Sequence, residues 1–79
     1  MADKEWLVEI RVRDFVRVPS GDSRILGYEE VLAENEVSAR YAGFDQFERK
    51  CKYSPVLKRR LSSLAITTSD CCAPDAVEI

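Results

Sequence analysis

The feature that most restricts the fold is an alternation near the start of the chain. Trp6, Val8, Ile10, Val12, Val16 and Val18 occupy even positions, while Glu9, Arg11, Arg13 and Arg17 occupy odd ones. A period of two held over that length, rich in β-branched residues, predicts a long strand with one face buried. Asp14 breaks the apolar parity and Phe15 falls on the wet side, so a β-bulge near Asp14 is expected to re-aim the side chains that follow. Pro19-Ser20-Gly21-Asp22-Ser23 is a cluster of turn formers and predicts a hairpin tip. The return strand is expected over residues 24–33. Its register stays open, because Leu26, Tyr28 and Leu32 share one parity and Ile25, Val31 and Ala33 the other.

At Glu34-Asn35-Glu36 the period changes. Asn35 suits an N-cap, since its side-chain oxygen can accept from an orphan backbone N–H, and Glu36 favours the positive helix end. Val37, Tyr41, Phe44, Phe47 and Cys51 recur at three- and four-residue spacing, with Arg49, Lys50 and Lys52 at the far end. This predicts an amphipathic helix of about four turns. Ala39 and Gly43 lie beside the stripe and lack bulk, which lets such a helix approach a sheet closely. Ser54 precedes Pro55 and is pushed away from helical angles. Residues 56–60 then read either as a short helix capped by Ser54 or as a basic loop. After Leu61, residues 63–68 are β-prone, with Leu64 and Ile66 on one face, and predict a third strand. Residues 71–79 read as a flexible tail, with a short edge segment from Cys72 onward as the alternative.

The expected fold class is therefore α+β: a small two-layer sandwich of β-β-α-β order, with a mainly antiparallel sheet and one amphipathic helix on one face. The alternative for the link from the second strand through the helix to the third is a right-handed crossover that makes those strands parallel. The 79 residues are expected to form a single domain with its core over about residues 5–70. Hydrophobic content of 46% with 33% charged residues argues for a folded chain. A core this small supplies only about 3–5 kcal/mol, which favours a partner or a homodimer. The homodimer is expected through the open sheet face or an exposed strand edge.

Met1-Ala2-Asp3-Lys4-Glu5 has no apolar leader character, and no run approaches the ~18 apolar residues of a membrane span. The expectation is a cytoplasmic protein without membrane contact. Cys51, Cys71 and Cys72 are odd in number and include an adjacent pair, which suits free thiols better than a disulfide framework. With no histidine and no Cys-x-x-Cys spacing, no metal or other cofactor is expected.

Charge divides the chain. Arg49, Lys50, Lys52, Lys58, Arg59 and Arg60 fall in a stretch without a single acid, whereas residues 1–48 hold eleven acids against six bases. Such a bipolar surface speaks to charged partners and not to chemistry. No catalytic residues are assigned and no enzyme is expected. Glu29 and Glu30 point to opposite faces of a strand, Cys51 sits on the core stripe without a base, and Gly21, Gly27 and Gly43 are too scattered to cradle phosphate. The cations Lys50 and Lys52 beside Cys51 could lower its thiol pKa, but its place on the core stripe and the lack of a base argue against a catalytic role.

Two partner classes remain. The acidic patch of Asp22, Glu29, Glu30, Glu34 and Glu36 can enter a basic groove on a protein or nucleoprotein complex. In its sharpest form this makes the chain a phage or mobile-element inhibitor, of which the anti-CRISPR proteins are an example, mimicking phosphates in a nucleic-acid channel. The alternative is a nucleic-acid-binding module using Arg49, Lys50, Lys52, Tyr53, Lys58, Arg59 and Arg60, with Tyr53 stacking on a base. Val31-Leu32-Ala33-Glu34-Asn35-Glu36, then Ala39, then Lys58-Arg59-Arg60 resembles the layout of the small archaeal ribosomal LX proteins, which implies RNA binding. The pI of about 5.1 departs from ribosomal practice. The Ala-Glu-Asn-Glu junction equally resembles several unrelated small phage and plasmid proteins, so the likeness assigns no family. Val77-Glu78-Ile79 could add a strand to a peptide-binding domain.

Overall fold

The computed structural model describes residues 3–79; Met1 and Ala2, on which the expectation about a leader partly falls, lie outside the described residues. In chain order the elements are β1 (Lys4–Val12), β2 (Ile25–Ala33), α1 (Glu36–Tyr53), α2 (Pro55–Ser63), a 3-10 turn (Thr68–Asp70) and β3 (Cys71–Glu78). The architecture is α+β, with a three-stranded antiparallel sheet of order β2-β1-β3. The order differs from the expected β-β-α-β by a second helix.

The alternation in β1 decides the rest. Trp6, Val8, Ile10 and Val12 all point under the helices and are buried. Each such side chain contributes roughly 1.5–3 kcal/mol by leaving water, and β1 takes the centre of the sheet. The strand ends at Val12, and Asp14 and Phe15 fall in a turn instead of continuing it. Val16 and Val18 still pack against the core from the connection.

The bulge expected near Asp14 is absent, because β1 ends at Val12; the irregularities lie instead in its two partner strands. Moving from Ile10 to Arg11 on β1 moves the partner from Gly27 to Ile25 on β2, so Leu26 is the extra residue. Gly27 there has φ +156°, a conformation that L side chains rarely adopt. On the other side, Glu9 pairs with Asp75 and Arg11 with Cys72, which inserts one residue in β3 around Pro74. A proline has no N–H for a ladder, so a bulge on an edge strand suits it.

Helix α1 begins as its sequence indicates, with the Asn35 side chain accepting from the Ser38 N–H at 2.9 Å. Its inner face is narrower than the predicted stripe. Ala39, Gly43, Phe47 and Cys51 are buried, Phe44 is half-buried, and Val37 and Tyr41 are exposed. The small residues face the sheet because the approach is too close for large ones. A Cβ on Gly43 would lie 2.6 Å from Val8 side-chain atoms.

Residues 55–63 form the helix alternative, with Ser54 Oγ accepting from the Leu57 N–H at 3.3 Å and Pro55 at the first turn. The predicted strand over residues 63–68 is absent. The Ile66 N–H donates to Leu61 C=O and the Ala65 N–H to Ser62 C=O, both at 3.0 Å, which is a Schellman stop. Ala65 has φ +56° in the left-handed position where glycine is usual. Leu61, Leu64 and Ile66 are buried around it. The third strand is Cys71–Glu78, at the sheet edge, so the tail reading of this segment gives way to the edge-segment alternative. With β1 between them, β2 and β3 run parallel to each other, as in the crossover alternative.

Candidate interaction surface

The helices cover one face of the sheet, and the pairing register identifies the residues on the other. Leu7 lies opposite Glu30 and Val77, Glu9 opposite Tyr28 and Asp75, Glu5 opposite Leu32, and Arg11 opposite Ile25 and Cys72. Tyr28, Leu32 and Val77 are 53%, 64% and 60% exposed. The surface therefore alternates apolar groups with Glu5, Glu9, Glu30 and Asp75. None of these four carboxylates has an ion-pair partner among the described residues. Arg11, the cation on this face, pairs with Asp14 at 3.5 Å.

This face differs from the expected one. Arg13 and Arg17 were to join Glu9 and Arg11 on a longer strand. With β1 ending at Val12, Arg13 turns away and its Nε donates to Ser69 C=O at 3.2 Å. The open face is thus acidic. Parity in β1 marks Glu9 as outward, whereas Glu5 joins it only through the pairing with β2, and Asp75 lies in the segment read as a tail.

The proposed acidic patch is dispersed. Glu29 lies opposite Val8 and so points under α1, only 6% exposed. Its Oε1 accepts from Gln46 Nε2 at 2.8 Å and pairs with Lys50 Nζ at 2.8 Å. Glu29 is therefore a helix-to-sheet anchor and is removed from the docking residues. Glu30 points the other way, onto the open face. Asp22 is exposed in the β1–β2 connection, Glu34 follows β2, and Glu36 opens α1.

The basic stripe is also partly consumed. Arg49 pairs with Asp45 at 2.6 Å along α1, and Lys50 with Glu29. Lys52, Lys58 and Arg60 have no ion-pair partner among the described residues, and Arg59 Nε donates weakly to Pro55 C=O at 3.5 Å. Tyr53 is 82% exposed at the α1–α2 corner beside them.

Two of the three thiols, Cys51 and Cys71, are poorly disposed to react. Burial, then the charges of Glu29 and Glu48, push the Cys51 thiol above its ordinary range despite the neighbouring Lys50 and Lys52. Burial chiefly, with smaller contributions from Cys51, Asp70 and Cys72 against Arg13, pushes Cys71 up to about 11. Cys51, Cys71 and Cys72 are free. Among the described residues, no group of three or more Cys, Asp or Glu side chains could hold a metal ion, and no helix is long and apolar enough to cross a membrane. Comparison with protein-family models, curated proteins and solved structures finds no match.

Proposed function

We propose that this chain is a non-catalytic interaction protein whose open sheet face binds a basic protein surface. The observation that carries this is Glu9 directly opposite Asp75, with Glu5 and Glu30 on the same face and no ion-pair partner for any of the four among the described residues. Like charges directly opposite on a sheet are destabilising. A local rule broken without internal compensation points to an external partner. Lys and Arg side chains from such a partner turn the repulsion into attraction, and Leu7, Tyr28, Leu32 and Val77 supply apolar area between the charges. A second copy would bring the same sign of charge to this face, which disfavours a face-to-face homodimer.

Basic surfaces of this kind include nucleic-acid channels. The inhibitor reading, a phage or mobile-element protein of the anti-CRISPR type, fits within this proposal and rests on the unpaired acids. The test is capture from host lysate after nuclease treatment, using the wild-type chain and a triple Glu9→Lys, Glu30→Lys, Asp75→Lys variant. A specific protein held by the wild type and lost by the triple variant is expected. Capture that disappears with nuclease, or survives the charge reversal, rejects the proposal.

A second reading is favoured by the unpaired cations Lys52, Lys58 and Arg60 with Arg59 around exposed Tyr53, a surface suited to phosphates and one stacked base. Its mark is a nucleic-acid affinity whose salt dependence flattens in Lys58→Gln, Arg59→Gln, Arg60→Gln.

A further inference from the structure

We infer that the cleft between α1 and the outer side of β3 binds a nucleotide unit, its phosphate on Arg13 and Arg40 and its base against Tyr41. The cleft has a volume of about 370 Å³, and Arg13, Val37, Arg40, Tyr41, Phe44, Cys72 and Ala73 line it. That is within the ~300–1,000 Å³ of small-molecule sites. It is separate from the acidic sheet face and from the α1–α2 corner, and it stands whether or not either binds a partner.

Three observations converge on it. Both arginines are oriented through Nε: Arg13 donates to Ser69 C=O at 3.2 Å and Arg40 to Ala73 C=O at 3.0 Å. A guanidinium held this way keeps its Nη donors for another acceptor, and neither arginine has an ion-pair partner among the described residues. No acid lines the cleft. Two such forks suit a phosphoryl group, whose oxygens accept paired N–H donors.

The aromatic side comes from the departure of α1 from its predicted stripe. Tyr41 is 77% exposed although it lies at helical spacing with core residues, and Phe44 beside it is only partly buried. An exposed ring next to a phosphate site is a stacking platform, and stacking tolerates any base. A nucleotide combines both chemistries, and its source can be a free nucleotide or one unit of a single strand.

The test is a chemical-shift titration of the isotope-labelled full chain at low salt with inorganic phosphate, adenosine monophosphate and a short oligoadenylate. Adenosine monophosphate is expected to move the amides of residues 37–44, 72 and 73. Arg40→Gln is expected to weaken it about tenfold, the loss of one charge-assisted contact. Arg13→Lys, which keeps the charge and loses the fork, is expected to weaken it as well, and the spectrum itself reports that each variant is folded. Tyr41→Ala is expected to weaken the nucleotide while leaving inorganic phosphate unchanged. Tighter binding of the oligoadenylate at the same amides identifies a strand as the source, and equal affinity identifies a free nucleotide. Shifts confined to residues 52–60, no shifts from either nucleotide probe, or phosphate binding as tightly as the nucleotide would overturn the inference.

Discussion

Glu29 and Glu30 are neighbours on β2, yet the pleat sends one beneath α1, where Lys50 and Gln46 hold it, and the other onto the bare face, where it has no ion-pair partner among the described residues. On the covered face the carboxylate is matched within the chain and serves the packing of helix on sheet. On the open face Glu30 joins Glu5, Glu9 and Asp75, and their charge is left for something outside the chain. One residue type thus has two roles, separated by a single step along a strand.

The most damaging way to break this contrast is from the covered side. Gly43→Val would drive a side chain into Val8, which already lies 2.6 Å from the position of a Cβ there. A loss of about 3 kcal/mol is expected in urea unfolding. Lys50→Ala leaves Glu29 buried without its cation. The expected cost is about 1–2 kcal/mol, below that of a fully buried pair because the Lys50 side chain is 53% exposed. A double-mutant cycle with Glu29→Gln measures it.

The covered face also answers to pH. Cys71, buried against that face, has a folded pKa of about 11, above its ordinary value of 9.0. The folded state therefore holds the proton that the unfolded chain gives up. This contribution is complete below pH 9 and is lost as pH rises towards 11. Unfolding measured across that range should show the decline, and Cys71→Ala should flatten it. The smallest effect on stability sharpens the contrast most. Glu9→Lys places a cation opposite Asp75 and should raise stability by a few tenths of a kcal/mol in thermal unfolding, while weakening capture of a basic partner.

The first half of the fold was legible because each of its signals is local. The alternation of β1, the turn formers around Gly21 and the Asn35 cap each act within a few residues. The second half was not. Helix α2 stops at Ala65 in a left-handed conformation without the glycine that usually announces it, so Leu64 and Ile66 passed for a strand. Cys71–Glu78 carries Pro74 and weak alternation, and it is a strand because β1 offers it a ladder. Of the candidate site, the outward parity of Glu9 could be read directly, and that Glu29 and Glu30 face opposite ways, though not which of the two faces out. Asp75 became visible only with β3, and the burial of Glu29 only with α1 above it. The arginine cleft joins residues 13, 40 and 73, which no local pattern connects.

The strand order has a consequence for the timing of folding. β1 lies in the middle of the sheet, but one of its two neighbours follows it only after β2 and both helices. During synthesis β1 can zip to β2 early. Its other edge must wait for Cys71–Glu78 to emerge, and closing so long a loop slows the final step. Until then the nascent chain displays an open strand edge, the kind of surface that chaperones and unwanted strands both recognise.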